Sequence, residues 1–401
     1  MRFRRRLEAL PSADVGRYTG APQDSSIVDY LDRLLVFSRE QEAWRAAPAG
    51  ERLSITFIMG EDGASDNRFY ASAADYYRYN LEARTEIVEL SCRSLVEVRN
   101  YLEAHRPANL RPWGVVNIVT HSYEWGGLAV PIERGQGRTD AAALRLARFR
   151  PLGDSVADCR TEFRIQGCAL GRDTALLRLL GLAFGGSDLD RPMVASSRCL
   201  VFYESLREPG RPPATDRFLA EYWYVTYPKA RRPGNNELAR RLGAGHPGVL
   251  IDWHASLSRP RPRWPGDEWS HIYELPITWL AVYADTLARP RLLTRRDEMA
   301  WLESVPELAD WLKATGLETP DLLWSIRDTT VVDCDTVRPA VLAFGRAKVV
   351  SVEREVVVPD ARMPWIVRRA HLREGGPEFQ TTVAAVVPAT RPAGENVPFP
   401  D

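Results

Sequence analysis

Val115-Val-Asn-Ile-Val-Thr120 runs straight into His121-Ser-Tyr-Glu-Trp-Gly-Gly127, and 47 residues after the histidine the arrangement recurs, with Phe163-Arg-Ile-Gln-Gly167 running into Cys168-Ala-Leu-Gly-Arg172. Each is a short β-branched, apolar run stopped by a turn-forming loop, which is how a strand buried in a sheet reads. Working outward, residues 53–60 form a similar run ending at Gly60, and 85–90 and 193–203 read as two more strands. Between them the apolar period changes to that of helices, at 71–83, 94–102, 139–149 with Thr139 as cap, and 173–184 closed by Gly185-Gly186. Strands alternating with helices of this length imply right-handed crossovers, hence an α/β, doubly wound, mainly parallel sheet. In such sheets the ligand site lies outside the carboxyl ends of the strands. His121 and Cys168 each follow directly on a strand, so both are expected at that rim.

Beyond residue 206 the alternation fades. An aromatic helix is expected at 214–227, a short helix at 236–242, and an extended linker at 258–265 with its three prolines and three arginines. A helical stretch at 299–314 is interrupted at Pro306, residues 347–358 read as a strand, and the tail from Pro388 is proline-rich. The expected organisation is an N-terminal helical extension over 1–50, with an amphipathic helix at 26–37, an α/β domain over 51–245, and an α+β C-terminal region over 246–401. No internal repeat is evident.

Composition narrows the function classes. The 401 residues are 45% hydrophobic and 26% charged, ordinary values for a chain with a sizeable core. Lysine plus arginine balances aspartate plus glutamate, 53 against 53, so no global field attracts nucleic acid or an anionic membrane. Cys92, Cys159, Cys168, Cys199 and Cys334 are odd in number and widely spaced, which argues against a disulfide framework and a zinc ribbon. The basic start, Met1-Arg-Phe-Arg-Arg-Arg6, leads into no apolar core and reads as a solvated tail, so a cytoplasmic location is expected.

Hydrolysing an amide needs a nucleophile, a proton donor for the leaving amine and donors for the oxyanion. Cys168, between Gly167 and Gly171 at a strand-to-helix junction, suits the first role, and His121 the second. The two blocks, a strand ending in His-Ser and a strand ending in Gly-Cys, resemble the clan of caspases, metacaspases, gingipains, legumains, separases and bacterial CHAT domains. Ile165-Gln-Gly-Cys168 is similar to the caspase Ile-Gln-Ala-Cys block. The resemblance spans about residues 50–230 and implies a caspase-like fold and cysteine endopeptidase activity. It gives Cys168 the nucleophile's role, His121 that of general acid/base, and the backbone amides of Ser122 and Cys168 that of oxyanion hole. It implies no cofactor and no metal, a protein or peptide substrate, and a regulatory or activating protein as partner in a proteolytic or defence pathway. Three departures stand out: Ser122 replaces the usual glycine, Gly171 lies one position late, and Glu162 and Arg164 make the nucleophile strand polar. They keep open a catalytically inactive scaffold that binds protein partners.

Ala195-Ser-Ser-Arg198 falls where the clan places substrate-pocket residues, which nominates Ser197 and Arg198. Arg198 would select an acidic side chain, whereas Asp188 or Asp190 would select a basic one; the basic preference ranks slightly ahead. Weaker signals have plainer explanations. Gly243-Ala-Gly-His-Pro-Gly248 matches a dinucleotide fingerprint by letter but follows a helix and contains proline. His246, Asp252 and His254 lack a further metal ligand. Tyr222 to Tyr227 reads as core rather than peptide groove, and Asp62, Asp66 and Asn67 as loop formers rather than cation ligands.

Overall fold

The computed structural model describes residues 52–63, 68–79, 85–88, 91–107, 112–147, 149–185, 192–206, 214–261, 267–333, 336–356, 379–383 and 396–397. The chain divides into two units, Met1–Glu51 and Arg52–Asp401, and everything described belongs to the second. The helix expected at 26–37, the N-terminal extension, Asp66, Asn67, Asp188 and Asp190 lie outside the described residues.

In chain order the elements are β1 (Ser54–Ile58), α1 (Phe69–Tyr79), β2 (Thr85–Val88), α2 (Leu95–Ala104), β3 (Val115–Val119), β4 (Ser122–Tyr123), β5 (Gly127–Leu128), α3 (Ala141–Leu146), β6 (Glu162–Gln166), α4 (Thr174–Phe184) and β7 (Met193–Ser197). They continue with β8 (Leu200–Leu206), β9 (Ala214–Pro228), α5 (Asn235–Gly245), α6 (Trp253–Ser258), β10 (Trp269–Val282), α7 (Arg295–Ser304), α8 (Pro306–Thr315), β11 (Ser325–Asp333), β12 (Thr336–Glu355), β13 (Phe379–Val383) and β14 (Asn396–Val397). The first sheet has the order β13-β7-β6-β3-β1-β2. Its pairings β2–β1, β1–β3, β3–β6 and β6–β7 are all parallel, and only β13 runs antiparallel. This is the α/β architecture the alternation implies. The strand order reverses direction between β1 and β3, so the switch-point crevice opens beside the end of β3.

The two faces of this sheet differ in chemistry. On one, Ile55, Phe57, Val116, Ile118, Phe163, Ile165 and Val194 pack with leucines of α2 and α4 in a single apolar cluster. Burying a side chain of this size stabilises by about 1.5–3 kcal/mol. On the other, a buried polar ladder crosses the strands. The Asn117 amide donates to Thr56 Oγ1 (3.1 Å), the Gln166 amide to Asn117 Oδ1 (3.3 Å), and the Arg217 guanidinium to Gln166 Oε1 (3.2 Å). Around the ladder, Ile58 and Val119 pack with Phe69, Tyr70 and Tyr77 of α1 and Val201, Tyr203 and Leu219 of β8 and β9.

The second sheet is antiparallel, in the order β14-β10-β12-β9-β8, with β11 also on β12. Trp279 packs with Trp301, Leu302, Leu308 and Leu312 of α7 and α8, while Leu238 and Leu242 of α5 cover other positions. The break at Pro306 is real, since it opens α8 at the first helical position.

Three expectations need correction. Residues 214–227 form a strand, not a helix: Thr, Val, Tyr, Trp and Phe suit a pleated surface, and burial on both faces hides the alternation. The single strand expected at 193–203 is two. Ser197 Oγ bonds both the amide and the carbonyl of Cys199, and this turn sends the chain from the first sheet into the second. β8 and β9 therefore belong to the second sheet, and β13 returns to the first. Finally, Asp140 rather than Thr139 caps α3, accepting from the Ala143 amide at 2.7 Å, because Thr139 is held in a bridge with Leu128.

Candidate active site

His121 leaves the end of β3 and its carbonyl accepts from the Ala129 amide (2.7 Å), which closes the β4–β5 hairpin below it. Its own amide donates to Tyr70 Oη (3.3 Å). The imidazole stacks on Phe69, centroids 4.3 Å apart, and meets the Tyr70 ring edge-on at 5.0 Å. Asp62 fixes that platform by capping α1 through the amides of Tyr70 and Ala71, both at 2.9 Å. Burial pulls the imidazole pKa down to about 4, against the pull of the Asp62 charge, with Arg138 adding to the fall. His121 is neutral at physiological pH.

Cys168 follows β6 by two residues. The residue is 6% exposed, and its thiol donates to the Val201 carbonyl and accepts from the Val201 amide, each at 3.4 Å. Tyr222, Trp269, Leu200 and Ala220 enclose it, with Tyr123, Trp125 and Tyr224 beside them. Burial pushes its pKa up to about 12; the Val201 amide opposes this, and the Glu353 charge adds to it. Glu353 is itself buried and accepts from Trp269 Nε1 (2.8 Å), Tyr273 Oη (2.6 Å) and Ser351 Oγ (2.7 Å). Immediately after the cysteine, Ala169 has φ +60, the only non-glycine residue with positive φ among the described residues. Such strain persists only where surrounding bonds over-determine it. Here the Ala169 amide is tied to the Cys199 carbonyl at 2.9 Å.

The two sequence blocks meet. Ser122 Oγ donates to the Cys168 carbonyl at 3.0 Å, joining residues 46 apart. Gly167 permits the contact, since a Cβ there would stand 2.4 Å from Ser122 Oγ and from the Thr120 carbonyl. His121 and Cys168 lie on the same face of the sheet, linked through Phe69, Tyr203 and Val201 of one apolar cluster. No hydrogen bond joins imidazole and sulfur among the described residues. The α4 dipole does not reach the thiol either: a turn of 3-10 helix at Leu170–Arg172 intervenes, and Asp173 occupies the helix's positive end through the Leu176 amide at 2.8 Å. Gly171 lets its backbone pack on Ser196 and Ser197, where a Cβ would meet the Ser196 carbonyl at 2.5 Å, rather than present an amide to a ligand.

The expected substrate residues fare unevenly. Ser197 is fully buried with its hydroxyl used in the sheet-switching turn, so it offers nothing to a substrate. Arg198 is exposed, and its carbonyl accepts from Arg172 Nε. Asp188 lies outside the described residues. His254 contacts Asn236, His246 faces Trp253, and Asp252 caps α6, so these three do not gather as ligands.

A cavity of about 290 Å³ opens on the same rim. Glu124, Trp125, Gly126 and Gly127 of the histidine loop, the caps Asp140 and Asp173, Tyr224 of β9, Leu275 and Pro276 of β10, and Trp311 of α8 line it. Burial, together with the charges of Glu124 and Asp140, pushes the Asp173 carboxyl up to about 7, although the Leu176 amide opposes the shift. The sequence hinted at this wall only indirectly, through two acidic helix starts that each follow a rim loop. Compared with known proteins, the chain matches no family model, no curated protein and no solved structure. Among the described residues no helix is long and apolar enough to cross a membrane.

Proposed function

We propose that the chain is a cysteine endopeptidase of the caspase–gingipain–legumain type, held in a resting state. Cys168 is the nucleophile and His121 the general acid/base. The observation behind this reading is the bond from Ser122 Oγ to the Cys168 carbonyl, which brings the histidine block and the cysteine block together at the carboxyl ends of adjacent parallel strands. The strained backbone at Ala169 supports it, because such strain clusters at functional sites. In the reaction His121 takes the thiol proton as the sulfur attacks the scissile carbonyl, delivers that proton to the leaving amine, and water hydrolyses the acyl-enzyme. The backbone amides of Ser122 and Cys168 serve the oxyanion. A thiol with a pKa near 12 is not a nucleophile at neutral pH, so the start of β8 must first release the sulfur from Val201. A regulatory protein that engages β8 would do so.

The test is a peptide-library profile of purified protein against its Cys168→Ala variant, alone and with cell extract as a source of activator. Cleavage that disappears in the variant supports the peptidase. The second reading is an inactive scaffold binding protein partners through the same rim, and the burial of the thiol favours it. An electrophilic thiol probe that never labels Cys168 in the native protein, with or without extract, would decide for the scaffold.

A further inference from the structure

The cavity on the rim has a wall chemistry that names its occupant. Three of its sides are aromatic, from Trp125, Tyr224 and Trp311, and three carboxylates line it, Glu124, Asp140 and Asp173, each from a different element. We propose that this cavity receives one basic side chain, lysine or arginine, of a bound peptide, with the carboxylates taking the cation and the aromatic walls its alkyl stem. The proposal deepens the peptidase reading by naming that site's residue preference, yet its test requires no cleavage.

Size comes first. Cavities for drug-sized ligands run to several hundred Å³ or more, so about 290 Å³ suits a single long side chain. Charge comes next. The nearby guanidiniums are already engaged: Arg172 lies 3.7 Å from Glu124 and over the Tyr222 ring, and Arg138 donates to the Gly126 and Gly127 carbonyls. Asp173, only 4% exposed, has its carboxyl pushed up chiefly by burial, with the charges of Glu124 and Asp140 adding to the rise, and a cation beside it would oppose all three. Capping explains why positions 140 and 173 are aspartates, but not why two caps and Glu124 surround one aromatic-walled space. Aromatic faces attract cations in their own right. Finally, Trp125 Nε1 is buried without an acceptor, and a peptide carbonyl would supply one.

The cavity also shares two walls with the cluster around Cys168. Trp125 and Tyr224 pack in the cluster that encloses Cys168. Glu124 follows His121 by three residues and Asp173 follows Cys168 by five, so peptide in the cavity lies along both blocks.

The experiment is calorimetric titration of full-length Cys168→Ala protein with acetylated, amidated Ala-Ala-X-Ala peptides, X being Arg, Lys, Gln or Glu, and with agmatine as a free cation. Arg and Lys peptides should bind at least about tenfold tighter than Gln or Glu peptides, the scale of one charge-assisted interaction. Asp173→Asn should erase most of that preference while keeping the helix cap, because asparagine caps as well as aspartate. Glu124→Gln, which touches no cap, should weaken it independently. Equal affinity for Arg and Gln peptides, or a preference unmoved by both variants, would overturn the proposal. Agmatine binding as tightly as the Arg peptide would overturn the assignment to a peptide. A tightly bound Arg peptide that wild type never cuts, alone or with the extract, sinks the peptidase reading and leaves this one standing; cleavage with no basic preference does the reverse.

Discussion

The two faces of the first sheet are built from the same five parallel strands yet differ in what they bury. One is hydrocarbon throughout, from Ile55 to Val194. The other buries the Thr56–Asn117–Gln166–Arg217 ladder and ends in His121 and Cys168. The apolar face supplies folding energy, for which shape and area suffice. The polar face fixes how the ends of β1, β3 and β6 are aligned, since each ladder bond is directional and has no water to replace it. Candidate chemistry lies on the second kind of surface, where stability was given up for position.

That contrast can be broken or sharpened by measurement. The largest effect is expected on the apolar face, where Phe163→Ala should cost about 3–5 kcal/mol in denaturant unfolding, for lost burial and the cavity left behind. A loss under about 1 kcal/mol would mean that this face is loosely packed. On the polar face Gln166→Ala removes the donor to Asn117 Oδ1 and one acceptor of the Arg217 guanidinium, and should cost about 1–3 kcal/mol. Gln166→Leu, similar in volume, should be no better if directionality is what counts.

Next in size is pH. A histidine whose pKa is lowered by burial stabilises the fold while neutral, so its contribution is complete above its ordinary value near 6.5 and disappears as pH falls towards 4. Over that window His121 should account for a loss of about 2–3 kcal/mol, and His121→Phe should flatten the melting temperature across it. Asp173 behaves oppositely. Its raised pKa favours the protonated form, so the native state loses stability as pH rises from about 4 to 7. Asp173→Asn should therefore raise the melting temperature at pH 8 more than at pH 4, and an equal shift at both would refute the burial penalty assigned to the Asp173 carboxylate. The smallest effect is expected at the join between the blocks. Ser122→Ala removes one buried neutral bond and should cost about 1 kcal/mol, read by the same unfolding midpoint.

Much of the first sheet was legible from residue order, because β1, β3 and β6 are short and apolar and each stops at a loop. Inside such strands Asn117 and Gln166 are polar, as is the pair Glu162–Arg164, which departs from the clan's pattern. Contacts explain them: the first two belong to the ladder, and Arg164 bonds Glu162 at 2.8 Å. The 214–227 segment misled because a strand buried on both sides has no alternation to read, and its aromatics suit either period. Ser197 misled because a rim position was inferred for a hydroxyl that the turn at 197–199 consumes.

Sequence alone determined which segments of the first sheet would be its parallel strands β1, β2, β3, β6 and β7, and that His121 and Cys168 would fall at strand ends, because these follow from hydrophobic period and local stop signals. Tertiary structure alone decided that β8 would lie over the sulfur, that the imidazole would face Phe69, and that Glu124, Asp140 and Asp173 would share one cavity. Those outcomes depend on which distant surfaces exclude water from one another, and burial, which also sets the pKa values, is a property of the packed assembly rather than of any segment within it.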